Sequence, residues 1–322
     1  MELIHIERDR IDEMVSLWNG LLGKEFPMRR ELFFMNSLED ENLCEESSRL
    51  AVDGSGKLVG FLIAKRWQEN LDLPLDRERA YIQVLVVDQD NQAKGLGSKL
   101  LDHAERSLRN LGVKRISLGA DLWHYFPGLP KEYVGILPWF KGKGYQESGE
   151  VFDFYRKYDQ LEERLPMPEA EGGSYEVLAL EDKELFLTFL RRCFPDRWTY
   201  EALAYFKKGG TGRDFLVLKK EGEISGFCRI NDVNSPFIAQ NIYWAPLFKE
   251  ELGGIGPLGI DEAERGRGYG IGIVEAGIRV LRNRGIDQIV IDWTNLTAFY
   301  EKLGYEKWKA YLELSKDLEE EI

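Results

Sequence analysis

The sequence predicts a duplicated α/β domain, two copies in tandem, and three observations predict it. The first is a pair of glycine turns. Gln92-Ala93-Lys94-Gly95-Leu96-Gly97 and Arg265-Gly266-Arg267-Gly268-Tyr269-Gly270 both read Gln/Arg-x-x-Gly-x-Gly, and each joins an apolar run (84–87; 257–260) to an amphipathic helix. The second is register: Gly60 and Gly226 are 166 residues apart, Gly95 and Gly268 173, and Gly144 and Gly304 160. Elements match while the loops between them differ, as expected of a duplication whose loops diverged. The third is the stretch Gln160 to Ser174, polar, with two prolines and ending in Gly172-Gly173, which reads as a linker. The expected division is 1–158, a linker over 159–173, and 174–322.

The elements follow in the same order in both halves. An opening strand (3–7; 175–180) runs into a charged helical segment. Two strands then flank a turn, 48–66 and 214–230, with Asp-Gly and Glu-Gly pairs as hairpin signals. After each glycine turn, apolar positions 101, 104, 108 and 111, and 271, 274, 278 and 281, keep helical spacing until Gly112 and Gly285 stop the helices. A further strand follows (115–120; 288–293), and each half closes on a short helix, WFKGKGY at 139–145 and FYEKLGY at 299–305.

Composition narrows the function. With 43% hydrophobic and 12% aromatic residues, the 322-residue chain can fill two cores. A net charge of −13 argues against nucleic acid and is compatible with a cationic substrate such as an amine. No apolar run reaches the ~18 residues of a membrane span, and the charged start MELIHIERDR is not a secretory signal. Cys44, Cys193 and Cys228 are far apart, without metal-ligand or disulfide spacing. The expectation is a cytoplasmic protein without a metal; oligomeric state is not legible.

A glycine-rich turn between strand and helix lets the backbone approach a ligand, and the helix start offers unpaired N–H donors to an anion. A dinucleotide fingerprint is excluded, because its third glycine is replaced by Leu100 and Ile273 and the turn lies late in each domain. The Gly-Lys-Ser/Thr of a P-loop is absent.

The order turn, helix, strand and closing segment, with ERGRGYG at 264–270, TNLTAFYEKLGYEK at 294–307, QAKGLGSKLL at 92–101 and GYQE at 144–147, resembles the GCN5-related N-acetyltransferase (GNAT) superfamily over nearly the whole chain. The resemblance implies two tandem domains, each a mixed, mostly antiparallel sheet with helices on both faces. It implies acetyl-CoA as acyl donor and a small-molecule amine or a protein amino group as acceptor. The diphosphate sites it implies are Gln92, Lys94, Gly95, Leu96, Gly97 and Ser98 in the first copy, and Arg265, Gly266, Arg267, Gly268, Tyr269, Gly270 and Ile271 in the second. The pantetheine arm would lie along the free backbone of Val86 and Val87, and of Leu258, Gly259 and Ile260.

Acetyl transfer needs a proton acceptor for the ammonium, a donor for the oxyanion and a proton for the departing thiolate. By resemblance Tyr300 is that last acid; the matching residue of the first half is Phe140, which has no proton to give, so catalysis is expected in the second half, the alternatives being a CoA-binding or structural tandem module without turnover, or transfer of another acyl group. Asn295 either caps the closing helix or bonds the pantetheine arm. The base is not assigned: Glu250, Glu251 and Asp292 are candidates, His5 and His103 fall within a strand and a helix, and His124 sits in an aromatic, Pro-rich insert at 121–139 expected to form a substrate wall or an interdomain contact.

Overall fold

The computed structural model describes residues 1–161 and 163–318; Glu162, in the expected linker, and residues 319–322, at the end of the expected second domain, lie outside the described residues. The chain packs as two compact units, one of 1–71, 76–151 and the chain from 309 onward, the other of 72–75 and 152–308.

The first unit contains β1 (Glu2–Ile4), α1 (Ile11–Leu21), α2 (Arg30–Phe33), β2 (Arg49–Val52), β3 (Leu58–Arg66), β4 (Arg79–Val87), α3 (Leu96–Asn110), β5 (Arg115–Leu118), the short β6 (Leu129–Pro130) and α4 (Leu137–Gly142). The predicted hairpin between β2 and β3 forms because the Asp53 carboxylate accepts bonds from Ser55 N–H (2.8 Å) and Lys57 N–H (3.1 Å), while Gly56 takes φ +84°. The pairs β1–β2, β2–β3 and β3–β4 are antiparallel and β4–β5 is parallel. Adjacent side chains of a strand face opposite ways, so β3 feeds two layers. Phe61 meets Phe33 at 5.7 Å in an aromatic layer built on Trp18 of α1, whereas Leu62 joins the cluster formed by Leu100, Leu101, Ala104 and Leu108 of α3. Those α3 residues include three of the four positions singled out by helical spacing; the fourth, Leu111, packs partly buried against the same cluster.

The chain then runs through β7 (Gln146–Lys157) into β8 (Ser174–Val177), α5 (Lys183–Cys193), α6 (Arg197–Lys207), β9 (Phe215–Lys220), β10 (Glu223–Asn231), β11 (Leu252–Ile260), α7 (Tyr269–Asn283), β12 (Gln288–Thr294), α8 (Thr297–Glu301) and β13 (Glu306–Asp317). In the second unit β8–β9, β9–β10 and β10–β11 are antiparallel and β11–β12 is parallel. Phe227 joins Phe186 and Phe194 while its neighbour Cys228 joins the α7 cluster, the same two-layer division. Each unit is therefore a mixed, mostly antiparallel sheet between helical layers, as expected.

The last strands depart from a simple tandem. Phe152–Lys157 of β7 pair antiparallel with β12, so the second unit's sheet ends on a strand from the first half of the chain. Ser315–Asp317 of β13 pair with Arg115–Ser117 of β5, and Leu312, Leu314 and Leu318 are buried in the first unit's core. Packing thus divides the chain differently from the expected 1–158 and 174–322, because each half gives its closing strand to the other unit.

Residues 1–158 made alone should not fold to a stable, monomeric product, since they lack three buried leucines and the partner of an interior strand edge. Circular dichroism melting checks this, with a cooperative native-like melt as the contrary result. Adding 159–322 in trans should restore the transition.

Candidate functional site

The two glycine turns are the same structure. Gly95 and Gly268, at φ +84° and +82°, are the residues from which α3 and α7 start, and neither helix has a side-chain cap. Two residues earlier Ala93 and Gly266 are also left-handed, at φ +56° and +79°. The first motif residue is tied to the end of its strand in both copies: Gln92 Nε2 donates to the Val87 carbonyl (2.9 Å) and Arg265 Nε to that of Ile260 (3.1 Å). The first-turn amides of Leu96, Gly97 and Ser98, and of Tyr269, Gly270 and Ile271, precede the first possible intrahelical bond and are available to an anion. Leu96 and Tyr269 point their side chains into the cores. Lys94 is exposed; Arg267 pairs with Glu264 at 3.3 Å, which also receives Lys220 at 2.6 Å.

Each turn sits above a fork. The parallel ladder β4–β5 ends at Ile82–Leu118, and β11–β12 ends at Ile255–Ile291. Beyond those pairs, among the described residues, Val84 to Val87 keep only their antiparallel neighbour β3 and Leu258 to Ile260 only β10, with Gln83, Gly256 and Pro257 at breaks in that register. An antiparallel partner satisfies alternate backbone groups, so the remainder of this edge along Val86, Val87, Leu258, Gly259 and Ile260 is open to an extended ligand, apart from the Val87 and Ile260 carbonyls, which already accept from Gln92 and Arg265.

In the first unit the fork opens into a cavity of about 920 Å³, lined by Val84 to Val87, the glycine turn, Leu118 and Gly119, the end of α1 at Leu21 and Leu22, and the insert from Phe126 to Phe140. Among the described residues, no Asp, Glu, Lys, Arg or His lines it. The 121–139 insert is therefore a wall of this cavity. Gly119 lets it close: a Cβ there would lie 2.0 Å from the Phe126 carbonyl oxygen. His124 is buried away from the cavity lining, with Nδ1 2.9 Å from the Asp121 carbonyl.

The second fork carries ionisable groups. Asp292 follows Ile291, the position held by Gly119 in the first unit. It is partly buried, and Asn241 Nδ2 donates to its Oδ1 (3.2 Å) and to the Gly256 carbonyl (3.3 Å). Desolvation raises its carboxyl pKa to about 6 against the pull of Arg197, with Glu201 adding to the rise. Arg197 bonds Glu201 (2.6 Å) and lies over the Trp293 ring at 4.4 Å. Tyr300 is 4% exposed and packs on Phe154 and Phe299. Burial holds its phenol far above the usual range, and Cys228 and Asp292 push the same way, which places Asp292 in its neighbourhood.

The other candidates fall elsewhere. Glu250 pairs with Lys157 (2.9 Å) and Gln288 (3.0 Å), at the opposite end of β12 from the fork. Glu251 is exposed beside it, and His5 is exposed on the approach to α1. His103 bonds the Glu46 carbonyl (3.1 Å) from the flank of α3. Asn295 does not cap α8: the capping position is Leu296, without a side-chain bond, and Thr294 Oγ1 serves the Leu296 N–H at 3.1 Å. Asn241, Arg197 and Glu201 went unrecognised in the sequence because they come from loops and a helix far along the chain, with no local motif.

Gly97 and Gly270 offer a clean probe of the turns, since a Cβ at either meets its nearest neighbour at an ordinary 3.8 Å and neither needs positive φ. Gly270→Glu places a carboxylate on the anion-binding amides and should lower CoA affinity at least ~10-fold by charge repulsion. Calorimetric titration, with the melting temperature little changed, checks this; unaltered affinity contradicts CoA binding at that turn.

Comparison with known proteins agrees with this geometry. The profile of the acetyltransferase (GNAT) family matches residues 13–126 and 183–305. The mycothiol acetyltransferase of Thermobispora bispora is 29% identical over 250 residues, covering 70% of this chain and 72% of that protein. Among solved structures, the GCN5-related glucosamine N-acetyltransferase region of a fungal multi-domain GH3 β-N-acetylglucosaminidase superposes at TM-score 0.86 with 24% identity; the match covers 98% of this chain, which spans only 38% of that one. A tandem GNAT protein from the clavulanic acid biosynthesis pathway superposes at TM-score 0.68 with 16% identity, covering 100% of this chain and 99% of that one. These structural likenesses show the fold. A family profile that takes in most of the chain, in two segments each containing a glycine turn above a fork, makes this chain a member of the GNAT acetyltransferase family with two copies of the fold.

Proposed function

We propose that the protein is an acetyl-CoA-dependent N-acetyltransferase whose chemistry takes place in the second unit. The observation that carries this reading is the contrast between the forks: Asp292 and Tyr300 in the second stand where the first has Gly119 and Phe140. The thioester lies along Leu258 to Ile260 with its diphosphate on the turn at Arg265 to Ile271, and Asn295 remains available to the pantetheine arm.

In this mechanism an ammonium acceptor enters beside Asp292 and gives it a proton. The amine nitrogen then attacks the thioester carbonyl. The tetrahedral oxyanion is stabilised by a free β11 amide, and as it collapses the C–S bond breaks, the thiolate takes the proton of Tyr300, and the phenolate so formed takes the second proton shed by the acylated nitrogen. Burial keeps that phenol protonated, yet makes it a weaker acid than an exposed tyrosine, so its contribution belongs at the lower end of the ~10²–10⁴-fold range for a positioned acid. The names of the relatives, a mycothiol acetyltransferase and a glucosamine N-acetyltransferase region, favour a small amine over a protein amino group. The Asp292 carboxylate at the fork favours a cationic one.

Tyr300→Phe should lower kcat about 10²-fold with CoA affinity unchanged, measured with glucosamine and a panel of small amines. Full activity in that variant contradicts the assignment of the acid.

Asp292 sets the pH dependence. Its folded pKa of about 6 lies above the ordinary carboxyl value, so the ionised base is lost as pH falls through 6 and the rate should fall with it. By the same sign, the stability linked to this group is greatest at low pH and is lost as pH rises through 6. Asp292→Asn should therefore abolish the acidic limb and most of the rate while melting no lower than wild type at pH 7–8. A rate profile without inflection near 6 in the native protein contradicts the role.

A further inference from the structure

We propose that the cavity of the first unit selects CoA thioesters whose acyl group is apolar and longer than acetyl. The inference rests on the reading that the glycine turns recognise CoA. The cavity has a gradient of polarity: Gln89, Gln92 and Ser98 lie with the helix start at one end, the bare edge Val84 to Val87 runs along it, and the remaining walls include Leu21, Leu22, Phe126, Leu129, Ile136 and Phe140. That order, anion site, extended polar edge and then a hydrocarbon chamber, follows the chemical order of a CoA thioester from diphosphate through pantetheine to acyl chain.

The chamber does not suit an amine acceptor. Among the described residues no carboxylate or histidine lines it to accept a proton, Tyr133 supplies its one phenol, and Phe140 holds the acid's position. The matching edge of the second unit is covered differently. There the end of the α1-equivalent helix, α5, is followed by Phe194, and a Cβ placed on Gly259 would lie 2.4 Å from that ring. The ring thus occupies the face of the β11 edge, whereas the corresponding α1 end at Leu21 and Leu22 lines open space. The second unit is matched to a short acyl group and the first to a long one, bound without transfer.

The test is calorimetric titration of the full chain with CoA and with acetyl-, butanoyl- and hexanoyl-CoA. A fully buried methylene tightens binding about fourfold. With part of the chain at the cavity mouth, hexanoyl-CoA should bind one of two sites at least ~10-fold more tightly than acetyl-CoA. Ile136→Glu, at a side chain 47% exposed and tolerant of charge, should erase that gain, and so should Leu22→Glu, with acetyl-CoA still bound. Equal affinity along the series, or a gain that survives both substitutions, overturns the proposal. Titration of a single site that is indifferent to Gly97→Glu overturns the CoA reading of the first turn itself, and this inference with it.

Discussion

The geometry of both candidate sites depends on the point at which two parallel strands stop pairing. A sheet interior normally satisfies both edges of every strand; here β4 and β11 give up one partner after Ile82 and Ile255. Unpaired backbone groups are costly where no water or ligand reaches them. The structure confines them to a short run that opens outward and ends at a glycine turn. The fork is therefore an open edge made from main chain, and it needs no particular side chains to exist. That explains how two copies with so little common sequence retain the same geometry down to the left-handed residues at 93 and 266 and at 95 and 268.

Because the frame is main chain, the side chains around it are free to diverge, and they have done so in opposite directions. In the second unit the fork gained a carboxylate with raised pKa, held by Asn241 and balanced between Arg197 and Glu201. In the first, the equivalent glycine admits the insert, whose Phe126 carbonyl occupies the space a side chain would need. A glycine at that position and a carboxylate at its counterpart mark one unit as closed over an apolar chamber and the other as open to charge.

The duplication, the hairpins, the glycine turns and the long helices were legible because each rests on a local pattern: Asp53 bonding its own turn, Leu101, Ala104 and Leu108 recurring on one face, glycine where φ is positive. The carboxylates were visible as residues but not as a choice. Glu250 and Asp292 read alike in sequence, and only strand register shows that one faces Lys157 at the closed end of β12 while the other stands at the fork. The partners of Asp292 were illegible, since Asn241 and Arg197 reach it through tertiary packing. The exchange of the final strands was illegible for a related reason. Both closing strands follow the same glycine-containing segment and have the same amphipathic character, so their local sequence does not say which sheet each one joins.

That exchange has a consequence for how the molecule comes into being. The ribosome delivers the chain from its N-terminus, and the first unit's β5 edge waits for a strand encoded beyond residue 308. At translation rates of ~5–20 residues per second, the wait is roughly ten to forty seconds. During that interval the Arg115–Leu118 edge and the hydrocarbon surface destined for Leu312, Leu314 and Leu318 are without their native cover. The second unit, whose closing strand at Phe152–Lys157 is already synthesised, is able to complete its sheet as soon as β12 emerges. Synthesis order and folding order are thus inverted along this chain, and the half made first is the half that must be sheltered longest.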